Sequence, residues 1–265
     1  MNDTTLKDRR IWITGASSGI GEALAVQASA AGAYLVLSAR REAELERVRG
    51  LCANPERVAV LPLDLTDFDA GEALRRAEAA FGPIDILVNN AGISQRGTVL
   101  QTQESVYRRI FELDFFACVK LTQAVLPGMV QRRQGHIVTV SSVVGYVGTP
   151  LRSGYAAAKH ALHGFYEALR AEVWREGVQI TLVCPGYIRT QVSVNAVTAD
   201  GGQHGKMDEG QLKGLSAEAC AARIWKAVRR GEAEVLIGAK EAVFVYLRRW
   251  FPGLLRYALK RAKVT

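Results

Sequence analysis

Ser142, Tyr155 and Lys159 are side chains of the kinds that can move a proton on or off a substrate oxygen. A β-branched, apolar run, His136-Ile-Val-Thr-Val140, precedes Ser142 and reads as a buried strand. From Tyr155 to about Glu176 the chain is rich in Ala, Leu, Glu and Arg and reads as a long helix. Positions four apart lie on one helix face, so the Tyr155 phenol and the Lys159 ammonium should point the same way. A free phenol has a pKa near ~10, too high for proton exchange at neutral pH. An ammonium within ~4–6 Å favours the phenolate, typically by ~1–3 units. The proton would move at oxygen while a hydride moves at carbon, with a hydroxyl at the strand's end holding the oxygen in place. The bland alternative, a surface Tyr and Lys beside a capping Ser, needs three coincidences.

The elements that must position this trio begin near the amino end. Arg10-Ile-Trp-Ile-Thr14 reads as a strand running into Gly15-Ala-Ser-Ser-Gly19-Ile-Gly21, with a helix expected over 22–31. Strand, glycine turn and helix together set backbone N–H groups and a positive helix terminus beside a pyrophosphate. Gly15 permits the tight turn, Gly19 lets the backbone approach the phosphates, and Gly21 lets the helix pack on the strand. A second strand, Tyr34 to Ser38, ends in Ala39-Arg40-Arg41, where an NAD enzyme would carry a ribose-binding acid. Arg40 there can fork onto a 2′-phosphate, which favours NADP(H) over NAD(H), whereas Arg41 reads as the start of a charged helix. Asp64 ends a third strand, where it could accept from an adenine amine; Asp67 reads as a helix N-cap. Strand four, 84–88, leads into Asn89-Asn90-Ala91-Gly92, whose amides could brace neighbouring loops while Gly92 leaves room for the adenosine half.

A helical stretch over 102–133 is expected to break near Pro127-Gly128. Strand six, 178–184, is closed by Pro185-Gly186, a further helix covers 216–230, and a last strand covers 233–237. Residues 191–214 contain five glycines and little periodicity, and read as a lid. Strands alternate with helices and no linker or repeat intervenes. The expected fold is therefore α/β, one doubly wound Rossmann-type domain over 1–239 with a mainly parallel, about seven-stranded sheet and right-handed crossovers. Every chemical residue singled out lies past a strand's carboxyl end, where such sheets bind ligands.

Composition narrows the classes. With 265 residues, 49% of them apolar, a sizeable core is available and disorder is not expected. The amino end has no apolar h-region and no uninterrupted apolar run approaches ~20 residues, so neither a secretory signal nor a membrane span is expected and a cytoplasmic setting follows. Cys52, Cys118, Cys184 and Cys220 are scattered singly, matching no zinc or disulfide pattern, and His160 and His163 share a helix face without an evident partner. No metal site is expected. The net charge is +8, but 240–265 holds seven basic residues and one acid, leaving 27 basic and 25 acidic in the rest. That distribution does not argue for nucleic acid.

Taken together, Thr14-Gly-Ala-Ser-Ser-Gly-Ile-Gly21, Asn89-Asn-Ala-Gly92, Ser142, Tyr155-x-x-x-Lys159 and Pro185-Gly186 resemble the classical short-chain dehydrogenase/reductases over roughly residues 8–238. The resemblance implies NAD(P)-dependent interconversion of an alcohol and a carbonyl. It implies Tyr155 as general acid or base, Lys159 on the nicotinamide ribose, and Ser142 on the substrate oxygen. Cofactor contacts are implied at Gly15, Ser17, Ser18, Gly19, Ile20, Gly21, Asp64, Leu65, Asn90, Ala91, Gly92, Pro185, Gly186, Ile188 and Thr190. A homodimer or homotetramer is implied as well. One departure stands out: Asp114 occupies the place where the family usually carries an asparagine in a proton relay through water and the lysine. If the relay uses the backbone carbonyl there, Asp114 should do nearly as well; if its carboxylate is ionised and near Lys159, it should oppose the lysine's effect on the tyrosine.

In the basic tail, 240–265, Val243, Phe244, Leu247, Trp250, Phe251, Leu254 and Ala258 fall on one helical arc, with Arg249, Arg256, Lys260 and Lys263 roughly opposite and Pro252 dividing the run. This arc could lie on an anionic inner membrane surface, or cover the cleft or a subunit contact. By analogy with family members that act on retinoids, steroids and other lipids, a small hydrophobic alcohol or carbonyl is the expected substrate. Two other readings stay open: a cofactor-binding sensor or scaffold without turnover, for which Tyr155 has no use, and a sugar epimerase or dehydratase, for which a separate substrate domain is missing.

Overall fold

Seven parallel strands form the centre of the molecule in a computed structural model that describes residues 5–238 and 241–259. They are β1 (Arg10–Thr14), β2 (Tyr34–Ala39), β3 (Val58–Pro62), β4 (Ile86–Asn89), β5 (Gly135–Val140), β6 (Val178–Pro185) and β7 (Glu234–Ile237). Their order across the sheet is β3-β2-β1-β4-β5-β6-β7, so the strand order reverses between β1 and β4. The strands match the sequence expectation to within two residues, because each is a short apolar run bounded by turn residues.

Helices cover both faces: α1 (Gly19–Ala30), α2 (Glu42–Leu51), α3 (Ala70–Phe81), α4 (Glu104–Phe111), α5 (Ala117–Gln131), α6 (Ser153–Val173), the short α7 (Glu209–Leu212) and α8 (Ala217–Arg230). Alternation along a strand sends neighbours to opposite layers. Ile11 and Ile13 of β1 pack in one core with α1, α2 and α8, while Trp12 packs in the other with α3, α5 and α6. The fully buried Trp12 donates its indole N–H to Ser38 Oγ at 2.9 Å. Helix α8 stops where expected, capped by Ser216 Oγ on the Ala219 N–H and ended by Gly231 at φ 63°.

Several expectations need correction. The N-cap of α3 is Asp69, which accepts from Glu72 N–H, and not Asp67; Asp64 binds the N–H and hydroxyl of Thr66 and holds a turn there, delaying the helix. The helix over 104–131 does not break at Pro127, which lies inside α5 at an exposed position where the lost hydrogen bond faces water. The irregularity lies earlier, in a π-helical turn, Glu112–Phe116, between α4 and α5. Joined in this way, Glu104–Gln131 is also long and apolar enough to cross a membrane by length and composition, although here Ala117, Leu121, Val125 and Met129 pack in the core.

The tail forms two helices, α9 (Glu241–Trp250) and α10 (Pro252–Leu259), divided at Pro252 as expected. Lys240, Lys260, Arg261, Lys263 and the amino-terminal Met1 to Thr4 lie outside the described residues, as does the side chain of Ala258. Residues 191–214 are less irregular than their composition suggests. Val197–Thr198 pairs in parallel with a two-residue strand, Gln95–Arg96, and α7 follows.

Candidate active site

A cleft of about 1090 Å³ opens at the carboxyl ends of the strands, over the point where their order reverses. That is where open α/β sheets bind dinucleotides, and the volume suits such a ligand with a substrate beside it. The glycine turn forms one end. Gly15 adopts φ 63°, and a Cβ there would lie 2.8 Å from Ala91 Cα. A Cβ on Gly21 would lie 2.3 Å from Gly15 O, so the first turn of α1 can press on the loop only because position 21 has no side chain. Gly19 adopts φ 59° and faces Thr190. Asn90 braces this turn as expected: its Nδ2 donates to Thr14 O at 3.0 Å and Gly15 O at 3.2 Å. Asn89 points into the core instead, donating to Tyr166 Oη at 3.0 Å.

Ser17, Ser18, Ile20, Leu65, Pro185, Gly186 and Ile188 line the same cleft. Arg40 and Arg41 line it too, at the end of β2, so Arg41 does more than begin α2. Asp64 lies on the neighbouring strand end. Its partial burial works against ionisation, but the bonds from Thr66 and the charges of Arg40 and Arg109 hold its carboxyl below the usual range.

At the other end Ser142, Tyr155 and Lys159 come together. Ser142 follows β5 and caps a 3-10 turn, accepting from Val144 N–H at 3.1 Å and donating to Pro185 O at 3.3 Å. Tyr155 and Lys159 lie one turn apart on α6, with Lys159 Nζ 5.6 Å from the centre of the Tyr155 ring. Lys159 is 3% exposed; its ammonium donates to Val140 O at 3.1 Å and lies 3.3 Å from Asp114 Oδ2. Burial opposes the Lys159 charge, yet Asp114 and Tyr155 together hold its pKa above the ordinary lysine value. Asp114 is fully buried in the π-helical turn and accepts from Ile93 N–H at 2.9 Å through Oδ1. Burial pushes the Asp114 carboxyl up, against the pull of Lys159 and that N–H.

Gly92 lies against this end of the cleft, where a Cβ would meet Asp114 Oδ2 at 2.9 Å and Lys159 Nζ at 3.4 Å. His163 also gains partners unseen in the sequence, Ser141 Oγ at 3.0 Å and the Cys184 thiol at 3.8 Å. Burial lowers the His163 pKa to about 4 and raises that of Cys184, so both face one another uncharged. Sequence reasoning missed Arg47, which bridges Glu22 and Glu44 and donates to Ser17 O at 3.2 Å, tying α2 to the glycine turn. It also missed Arg96 and Arg152, which line the cleft and clasp Asp208.

The sequence model described as short chain dehydrogenase matches residues 9–200. A Drosophila melanogaster protein, dehydrogenase/reductase SDR family protein 7-like, is 41% identical over 98% of this chain and 82% of its own length. A mouse protein, dehydrogenase/reductase SDR family member 7B, is 41% identical over 97% of this chain and 82% of its own length. Among solved structures, a short-chain dehydrogenase from Streptomyces avermitilis is 30% identical with a TM-score of 0.83, each chain covered over 97%. A short-chain dehydrogenase/reductase from Burkholderia phymatum, solved in complex with NAD, shares the fold with a TM-score of 0.83 at 24% identity, over 94% of this chain and 96% of its own. With the glycine turn, the Asn90 brace and the Ser142, Tyr155 and Lys159 end of the cleft in the same order along the chain, these matches make the protein a member of the short-chain dehydrogenase/reductase family of oxidoreductases.

Proposed function

We propose that the protein interconverts an alcohol and a carbonyl on a small hydrophobic substrate, with NADP(H) preferred to NAD(H). The observation that carries this reading is the buried Lys159 ammonium beside the Tyr155 ring, in one cleft with a glycine turn that admits no side chain at Gly15 or Gly21. A nicotinamide cofactor bound across that cleft supplies or accepts the hydride. Gly15, Gly19 and Gly21 leave the backbone free to approach its phosphates, and Arg40, which lines the cleft at the end of β2, supports a guanidinium fork onto a 2′-phosphate. In the reducing direction Tyr155 Oη gives its proton to the substrate oxygen, and the Lys159 charge stabilises the phenolate left behind. The Ser142 hydroxyl, now donating to Pro185 O, turns to hold the same oxygen. Val143, Val144, Val147, Val192 and Phe244 give the substrate end apolar walls, which supports a hydrophobic substrate.

The setting belongs to the same reading: a homodimer or homotetramer in the cytoplasm, with residues 191–214 as lid and the basic tail against an anionic inner membrane surface. Trp250 and Phe251, 69% and 62% exposed, and the exposed Arg249 and Arg256 support the last of these. Oxidation of NADPH against a panel of hydrophobic ketones tests the reaction. Tyr155→Phe is expected to lower kcat by about 10²–10⁴ while NADPH still binds, and Arg40→Gln to weaken NADPH without weakening NADH. Binding of NADPH with no turnover of any carbonyl would favour a sensor or scaffold instead.

A further inference from the structure

Helix α6 carries both Tyr155 and Lys159, yet its own N-cap residue, Arg152, makes no side-chain cap bond. The first N–H groups of a helix need acceptors, and here one comes from elsewhere in the chain. Gln95 is fully buried, and its Oε1 accepts from Gly154 N–H at 2.7 Å and from Tyr155 N–H at 3.4 Å. The Gln95 Nε2 donates to Thr102 Oγ1 at 3.1 Å, and because that hydroxyl spends its own proton on Thr98 O at 2.7 Å, the amide oxygen is the end that faces the helix. The next residue but one, Gly97, donates its N–H to Leu151 O at 3.0 Å. Leu151 is held at φ 65°, a conformation that a branched side chain disfavours, directly before the helix. The entry into α6 is thus set by Gln95 to Gly97 from outside, and not by its own sequence.

The same short strand grips the segment over the cleft. Gln95 and Arg96 pair with Val197 and Thr198, and Val197 N–H donates to Ser94 O at 2.9 Å. Arg96 forms a buried ion pair with Asp208, which also binds Arg152 Nη2 at 2.8 Å. Asp208 N–H donates in turn to Ser193 Oγ at 3.2 Å. Arg96, Arg152 and Asp208 are all at least nine-tenths buried, so the clasp holds only while 191–214 is docked.

We propose that Gln95 is a positioning residue that caps the helix bearing Tyr155, and that the Arg96–Asp208–Arg152 clasp makes this cap depend on docking of 191–214 over the cleft. Closure of the segment and ordering of Tyr155 are then one event. The proposal rests on the reading of Tyr155 as the proton donor, but its main test does not need turnover. Hydrogen exchange is followed in peptides covering 150–158 and 191–214 in the intact protein with NADPH bound, for wild type, Asp208→Asn, Gln95→Leu and Gln95→Glu. Asp208→Asn is expected to speed exchange in both regions, by roughly fivefold to tenfold at the amides of 154 and 155, the change a lost helix cap produces. Gln95→Leu should do the same at 150–158, and Gln95→Glu, which keeps the acceptor, should restore slow exchange. With any ketone the enzyme reduces, Gln95→Leu should lower kcat while the KM for NADPH holds, and Gln95→Glu should recover kcat. Faster exchange at 191–214 alone in Asp208→Asn would overturn the coupling. Unchanged exchange at 150–158 in a folded Gln95→Leu would overturn the cap. Loss of the Tyr155→Phe effect with both exchange results intact would instead overturn the reading of Tyr155.

Discussion

Asp114 and Lys159 share a pocket from which water is excluded, and the charge of each is set by the other. Burial works against both charges; Asp114, 3.3 Å away, and Tyr155 together hold Lys159 protonated, and the Asp114 carboxylate partly offsets the positive field that Lys159 extends toward Tyr155. Asp114→Asn keeps an acceptor for Ile93 N–H and removes that opposing charge. The expected result is a kcat at least equal to wild type, with the pH–rate profile moved toward acid. Collapse of turnover with NADPH binding intact would contradict this. Tyr155, Lys159 and the three glycines were legible in the sequence because one turn or one helical repeat fixes their relation. Gln95 and Asp208 were not: Gln95 meets Gly154 across 59 residues of chain and Asp208 meets Arg96 across 112, and no local period encodes such contacts.

At the scale of elements, β5 and β6 are tied by more than their backbone ladder. His136 of β5 is 3% exposed and its Nε2 lies 2.8 Å from Thr181 Oγ1 of β6, with burial lowering its pKa from 6.5 to about 4. Above pH 6.5 neither the folded nor the unfolded chain binds a proton there, so stability is full. Between pH 6.5 and about 4 the unfolded chain takes up a proton that the folded chain refuses, and stability falls by up to about 3 kcal/mol from this residue. Urea midpoints at pH 7 and pH 4.5 should show the decline, and His136→Gln should flatten it; equal slopes in the two proteins would contradict the assignment. The strands themselves were legible because apolar runs between turn residues have few other uses. The π-helical turn at Glu112–Phe116 was not, since its composition is that of the helices on either side, and Asp67 was mistaken for the cap because Asp64 and Asp69 offer the same chemistry close by.

For the whole molecule, the sheet supplies a rigid floor, the reversal of strand order opens the cleft, and the tail gives that cleft an apolar rim through Phe244 and Leu259. The alternation of strands and helices made this architecture legible, whereas the face the tail presents depends on packing that no periodicity dictates. Vesicles of phosphatidylglycerol, but not of phosphatidylcholine, should carry the protein in a flotation assay at low salt. Arg249→Gln with Arg256→Gln should weaken that binding about thirtyfold, at ~1 kcal/mol for each charge; equal flotation with both lipids would contradict an electrostatic docking. The most direct test of the central claim is isotopic, using NADPH deuterated at the transferring carbon and a ketone that the enzyme reduces. Deuterium is expected at the carbinol carbon of the product and the hydroxyl proton from solvent, with the rate lost in Tyr155→Phe. Deuterium missing from that carbon, or Tyr155→Phe turning over at the wild-type rate, would contradict the account.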